Sequence, residues 1–323
     1  MTGDRPRTVL VLTNPYDATA DVVLRILAER GVPVVRTDPG ADLQQGAALT
    51  TRYEKDGQRG TLTTATRVLD LGRVGSVWYR RPSTYEAPAG MEGQDAAFCR
   101  AQAHWGVGGI LAALPGAHYV NHPWRVREAE HKPVQLHAAL TSGFTVPATV
   151  ITTDPDQARA FCRAQVGGAV YKPLWNSPYR GEDGRAAQAW VSEVRPQEIT
   201  EAVAACPHLF QAKVDKAYDV RLTAVGTRLF AVRIDSPDLD WRRRQNLLTY
   251  TQVAVPDDVA AAVARYLGAF GLVFGAFDFA VDTAECWNFF ECNPNGQWAW
   301  FPPPMTDLIA EALADRLQRG TNP

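Results

Sequence analysis

Three residues near the C-terminus have the types and spacing of a hard-cation site. In FDFAVDTAECWNFFECNPNGQW, Asp278 lies on one strand-like run and Glu291 and Asn293 lie on the next. The runs read as a hairpin turning near Asp282 to Glu285, which brings the three side chains toward one place. Glu291 and Asn293 are two apart and so share a strand face. Carboxylate and amide oxygens suit magnesium, which keeps several waters and takes its remaining ligands from nucleotide phosphates. The same residues also fit a simpler description, with Asp278 at a strand end and NPNG as a plain turn, since Asn, Pro and Gly are common turn formers.

Two lysines bear on that choice. Lys132 falls within a helix expected over Val126 to Leu140, and Lys172 near the end of the apolar strand AVYKPL. A cation at Lys172, followed by the polar, glycine-bearing loop Asn176 to Ala187, is placed to neutralise phosphates. Lysines are usually solvated, but Lys172 follows three apolar residues of a strand that should be covered, and a buried lysine needs an anionic partner. The loop itself reads as exposed and mobile.

In HLFQAKVDKAYDVRL the extended segment Phe210 to Val214 offers backbone donors and acceptors to a flat heterocycle, and Asp215 can reach ribose hydroxyls. Asp219 and Arg221, two apart, share the face of the next strand. Arg221 there is either a stabiliser of charge on a transferring phosphoryl group or half of an ordinary ion pair.

These residues must be held by an α/β scaffold. Residues 8 to 13, TVLVLT, suit a buried parallel strand; Ala20 to Arg30 has helical spacing and is closed by Gly31; VPVVRTD supplies the next strand. Further strands near Thr61 to Thr64 and Ser76 to Tyr79 complete an open, Rossmann-like domain, although no GxGxxG follows the first strand. A second unit follows, with TVPATVITT, a helix from Pro155 to about Gln165 and AVYKPL. After Pro207 come LFQAKV, DVRLTAV and LFAVRID, with a hairpin turn at Gly226, then a helix from Asp257 to Ala269, the FGAFDFAV and CWNFFECN pair, and a last helix from Thr306 to Arg319. The expected division is 1–122, 123–206 and 207–323.

Composition narrows the function classes. With 33 basic and 35 acidic residues the net charge is −2, so no global field draws nucleic acid. No run of about 18 apolar residues predicts a membrane span, and the N-terminal apolar run is too short for a signal-peptide core. Five scattered cysteines without a CxxC spacing fit reduced thiols in the cytoplasm better than a disulfide frame or a zinc site.

Taken in order over roughly residues 120 to 300, Lys132, Lys172, the glycine-bearing loop, FQAKVDKAYDVR, Asp278 and ECNPNG resemble the ATP-grasp superfamily. WYRRP at 78 to 82, NHPWRVREAEHKPVQLHAA and ECNPNGQWAW resemble more narrowly the ligases that build graspetides, the microviridin-like ribosomal peptides. The resemblance implies an ATP-grasp fold, in which a pre-ATP-grasp domain precedes central and C-terminal domains that sandwich ATP. It implies Lys132 and Lys172 on the phosphates, adenine along Gln211, Ala212, Lys213 and Val214, and magnesium on Asp278, Glu291 and Asn293. The acidic hinge residue common in the superfamily is replaced here by Gln211, Ala212 and Lys213, which leaves Asp215 as the ribose candidate, with Asp219 nearby. Arg80 and Arg81 fall near the substrate cleft, where arginine would hold an acidic core peptide; on their own they also fit surface arginines at a strand end. A leader peptide is implied near Ala186 to Ala205, where Trp190 packs either on the leader or into ordinary core.

The implied reaction is phosphorylation of a side-chain carboxylate of a precursor peptide, with Arg221 and Lys172 at the transferring group. Capture of the acyl phosphate by a Thr or Ser hydroxyl then gives an ester cross-link. The implied precursor has a leader and an acidic, Thr-rich core, and relatives suggest a homodimer. Two other readings stand beside this one. One is an ATP-grasp ligase forming amides on a small amino acid, a lysine side chain or a protein C-terminus; the other is a noncatalytic nucleotide- or peptide-binding module.

Overall fold

Val9, Leu10, Val11 and Leu12 are wholly buried, as a β-branched run needs to be when both faces of a parallel sheet are covered. The computed structural model describes residues 7–175, 179–180, 184–187 and 189–320. Its first sheet has four parallel strands in the order Val34–Thr37, Thr8–Thr13, Val74–Arg81, His118–Val120. The helix Ala18–Glu29 starts at Asp17, whose carboxylate accepts the Ala20 N–H, and Gly31 stops it with φ +67. An antiparallel meander, Ala48–Glu54, Gly57–Thr63 and Val68–Asp70, follows the second strand.

Two helices differ from the sequence expectation. Gly93–Ala112 is a 20-residue helix that the pattern did not announce. Its four glycines weaken the helical signal, and only Ala96, Leu111 and Ala112 are buried, so no apolar stripe marks it. The single helix expected over Val126 to Leu140 is two helices, Pro123–Ala129 and Lys132–Ser142. Pro133 causes the break: it has no N–H to give the Ala129 carbonyl, and its ring collides with the preceding turn. It sits instead in the first turn of the second helix, where a missing donor costs nothing. Glu130 and Lys132 therefore flank a corner rather than follow one another along a cylinder.

The central sheet is antiparallel, in the order Ser192–Val194, Ala169–Lys172, His208–Ala212, Thr149–Thr152, and is backed by the helix Pro155–Ala164. The loop expected over Asn176 to Ala187 lies partly outside the described residues. Within them Tyr179 pairs with Ala187 and Arg180 with Ala186 in a small hairpin. The C-terminal sheet is antiparallel in the order Thr249–Val253, Arg228–Asp235, Lys216–Val225, Phe274–Asp282, Trp287–Asn293.

Period-two alternation divides the faces of that sheet. Phe277, Phe279 and Phe289 turn to one side, where they pack with Phe144, Tyr266 and the helix Asp257–Phe270, while Asp278 turns to the other. Each ring taken fully out of water contributes roughly 2–3 kcal/mol, so a one-residue slip that exchanged Asp278 with its neighbours would be heavily opposed. The last helix, Met305–Arg319, returns to the first sheet. Its Ile309, Leu313 and Leu317 share one core with Val9, Val11 and Leu27 and with Phe274 and Ala276 of the C-terminal sheet. Among the described residues no helix is long and apolar enough to cross a membrane, and all five cysteines are free thiols.

Candidate active site

The hairpin brings the two expected carboxylates face to face. Asp278 is in register with Glu291, and Ala276 with Asn293. Arg221 is the neighbour of Asp278 on the other side, and its Nη1 donates to Asp278 Oδ1 at 2.9 Å. This ion pair is buried. Burial and then the Glu291 charge hold the Asp278 carboxyl above its ordinary range, and Arg221 works against both. Glu291 goes the other way: burial opposes its ionisation, but Lys132 and Arg242 outweigh burial and lower its pKa. Gly296 is required beside Arg221, because a Cβ there would stand 2.4 Å from both Arg221 Nη2 and the Ala276 Cβ.

Two carboxylates and an amide oxygen on one hairpin are a donor set fit for magnesium, and the mutual repulsion of Asp278 and Glu291 is what a dication would relieve. Among the described residues no cluster of three His, Cys, Asp or Glu side chains stands ready for a metal. An ion here would therefore complete its shell with water and phosphate. Asn293 Oδ1 accepts the Asn295 N–H at 2.9 Å, which orients the amide within the NPNG turn. The turn and the ligand descriptions of this motif are thus compatible.

Lys132, the first residue of its helix, forms an ion pair with Glu291. Three residues on, Gln135 exchanges two hydrogen bonds with the backbone of Cys292, accepting its N–H at 2.9 Å and donating to its carbonyl at 3.0 Å. The i and i+3 positions of one helix face thereby pin the strand between Glu291 and Asn293. Within the chain Lys172 is received by neutral groups. Its Nζ donates to Gln211 Oε1 at 2.7 Å and stands 3.7 Å from the centre of the Phe290 ring, with no carboxylate at ion-pair distance among the described residues. Burial drives its pKa down to about 7, while the Glu291 charge opposes that fall. An ammonium held by an amide oxygen and a π face is poised for an incoming anion.

Lys132, Lys172, Asp278, Phe290 and Glu291 line a cleft of about 770 Å³ between the central and C-terminal sheets, closed on one side by the hinge Gln211, Ala212, Lys213 and Val214, while Gln135 and Asn293 face the adjoining cleft. The Gln211 side chain is engaged with Lys172 and Thr149. The hinge offers its backbone instead, for the Lys213 N–H is bonded to Gly168 but no hydrogen bond is made by the Lys213 carbonyl or the Val214 N–H among the described residues. One free acceptor and one free donor a residue apart match the donor and acceptor edge of adenine. Asp215, the expected ribose contact, is exposed and does not line the cleft. The chain turns out of the sheet there, and Lys216 and Asp219 face inward in its place. They are ion-paired at 2.5 Å, and burial raises the Asp219 pKa to about 6 despite that lysine.

A wider cleft of about 1370 Å³ adjoins the first and shares Lys132, Arg242 and Glu291 with it. Arg242 is a residue that sequence reasoning missed. It lies in the irregular segment between Arg228–Asp235 and Thr249–Val253, is gripped by both oxygens of the Asp240 carboxylate, and reaches Glu291 Oε1 at 3.4 Å. Its only sequence signal is one arginine among three in WRRRQ.

The tandem Arg80 and Arg81 part company here. Arg81 is exposed on the wide cleft and makes no side-chain ion pair among the described residues. Arg80 is 2% exposed. It pairs with Asp17 at 3.3 Å and donates to the Asn295 carbonyl and to Gln297 Oε1. Asn121 donates to the Pro294 carbonyl at 2.9 Å from the same side. The NPNG turn is thus fastened to the first sheet by two buried side chains. Arg80→Ala should strand Asp17 without its cation and cost about 3 kcal/mol or more. Urea unfolding checks this: a lower midpoint at unchanged slope is expected, and a loss under about 1 kcal/mol would remove the anchoring role. Trp190 lies apart from both clefts, in a third hollow with Asp238, Arg243 and Arg244.

Comparison with known proteins follows this layout. Residues 8–127 match the family model of the MvdD pre-ATP grasp domain. A RiPP-associated ATP-grasp ligase from Chryseobacterium gregarium, solved in complex with ADP and a leader and core peptide, superposes with a TM-score of 0.88. It is 24% identical, over 98% of each chain. The chain has the ATP-grasp fold. The macrocyclase MdnC from Microcystis aeruginosa MRC, solved with precursor peptide MdnA, is 26% identical to this chain with a TM-score of 0.83, over 95% of this chain and 99% of that one. The ATP-grasp ligase PsnB, complexed with a phosphomimetic variant of its minimal precursor, Mg and ADP, is 20% identical with a TM-score of 0.75, over 98% of this chain and 100% of that one. No curated protein matches the sequence.

Proposed function

We propose that this chain is an ATP-grasp ligase of the graspetide type, which phosphorylates Asp or Glu side chains of a ribosomal precursor peptide with ATP and joins them to Thr or Ser hydroxyls as esters. The observation that carries the reading is the shared wall of the two clefts, formed by Lys132, Arg242 and Glu291. A nucleotide in the narrow cleft and a peptide carboxylate in the wide one would meet there. The breadth of the second cleft, and a free Arg81 on its rim, favour an acidic peptide over a lone amino acid as the acceptor.

In this reading the free Lys213 carbonyl and Val214 amide hold adenine, with Gln211 and Ala212 completing the hinge, and Lys216 and Asp219 lie toward the ribose. Lys172 and Lys132 bind phosphate oxygens. Asp278, Glu291 and Asn293 would hold magnesium, which offsets phosphate charge when bound. Arg221, paired with Asp278, favours its charged form against burial, and Arg242 and Arg81 orient the attacking carboxylate. Phosphorylation turns a poor acyl donor into one with a good leaving group, and no covalent enzyme nucleophile is needed. Trp190, with Arg243 and Arg244, is the proposed contact for the leader. A division at 1–122, 123–206 and 207–323, a cytoplasmic setting, which free thiols support, and a homodimer belong to the same reading.

Mass spectrometry tests it. The chain, incubated with ATP, magnesium and the acidic, Thr-containing peptides encoded beside its gene, should remove one water per cross-link and release ADP. Unchanged masses, with ADP released on adding free amino acids instead, would favour a small-molecule ligase.

A further inference from the structure

The second half of this reaction needs a base. A Thr or Ser hydroxyl that attacks an acyl phosphate must lose its proton as the bond forms, or the ester is born as an oxonium. The wide cleft holds few groups able to take it. Arg81 and Arg242 are permanent cations, Lys132 is the ion-paired partner of Glu291, and the buried thiol of Cys292 is driven up and away from ionisation. Glu291 is held by Lys132 and Arg242 and is therefore a weak base. Glu130 differs from all of them. It lines the same cleft from the corner that Pro133 imposes, and its side chain makes no hydrogen bond or ion pair among the described residues.

We infer that Glu130 is the general base that takes the proton of the acceptor hydroxyl. The inference rests on the peptide-ligase reading. In the step, the hydroxyl oxygen bonds to the acyl carbon and its proton passes to Glu130. The bond from acyl carbon to phosphate oxygen breaks, and phosphate leaves with the electron pair; the proton on Glu130 then returns to solvent. The surroundings suit the task. Burial raises the pKa of Glu130, against the nearby His131 and Arg127, and its charge in turn raises that of the Tyr79 phenol. Tyr79, Arg80, Arg81, Lys132, Arg242, Glu291 and the Cys292 thiol are the other ionisable groups that face this cleft. A carboxylate whose pKa burial has raised is a stronger base than an ordinary one.

Hydroxylamine separates the two half-reactions, since it captures an acyl phosphate without needing a base. With the leader-bearing precursor encoded beside the gene, Glu130→Gln should still form peptide hydroxamate and ADP at close to the wild-type rate. Its cyclisation without hydroxylamine should fall about a hundredfold or more. The wild-type cyclisation rate should drop as acid protonates Glu130, at a pH above the usual carboxylate range, and that limb should vanish in the variant. Cyclisation by Glu130→Gln at the wild-type rate overturns the assignment. So does loss of hydroxamate together with cyclisation, which would give Glu130 a role before the acyl phosphate. A wild-type chain that yields neither hydroxamate nor cyclic peptide refutes the underlying ligase reading and the inference with it.

Discussion

Glu291→Gln should lower peptide-dependent ADP release by about a thousandfold, equivalent to roughly 4 kcal/mol of barrier. The substitution keeps the shape of the side chain and removes one charge at the point where the two clefts meet. Three consequences add. A proposed metal ligand becomes a neutral amide, Asp278 loses the opposing charge that sets up a dication site, and Lys132 and Arg242 lose their common partner. The strand itself should survive, since Gln135 still pins Cys292 and the phenylalanine face is untouched. Peptide affinity, measured by fluorescence anisotropy, should therefore change little, and thermal unfolding should remain cooperative. Residual turnover within tenfold of wild type would remove Glu291 from the site, and a noncatalytic binding module would show no turnover to lose.

The second large effect concerns protons. Lys172 has a pKa of about 7 because burial disfavours its charge and within the chain only an amide oxygen and an aromatic ring receive it. Bound phosphates would favour the charged form and raise that pKa. The sign follows directly: above pH 7 the free protein holds Lys172 mostly neutral, so ATP binding must take up close to one proton. Affinity should weaken about tenfold per pH unit above 7, until the pH reaches the pKa of the complex. Below pH 7 the lysine is already charged and the uptake should fade. Calorimetry at pH 8 in two buffers of different ionisation enthalpy measures the proton count. Lys172→Met should abolish both the uptake and most of the affinity. An unchanged count in that variant would place the titrating group elsewhere.

The sequence made some of this site legible and hid the rest for identifiable reasons. Asp278, Glu291 and Asn293 could be read together because a hairpin is local and its two-residue period sorts faces without reference to the rest of the chain. Lys172 was legible as a cation out of place in an apolar strand. Its contacts within the protein, Gln211 and Phe290, were not legible, because a strand pattern does not reveal which side chain of a neighbouring strand or sheet it meets. Asp215 was legible as an acid beside the hinge, but whether the chain turns it inward depends on the sheet it leaves.

Arg80, Arg81 and Arg242 mark the boundary most clearly. In sequence the tandem arginines are equivalent, and Arg242 is one of three in a polar run. Tertiary structure buries Arg80 against Asp17 and a carbonyl 215 positions away, leaves Arg81 open to the wide cleft, and brings Arg242 to Glu291 across 49 positions. Local periodicity and turn chemistry act over a few residues, so the hairpin with its oxygen donors, the strands and most of the helices were determined by the sequence read along its length. Which cation is structural, which is free and which joins the shared wall depends on distant segments excluding water around particular side chains, and only the packed chain decides that.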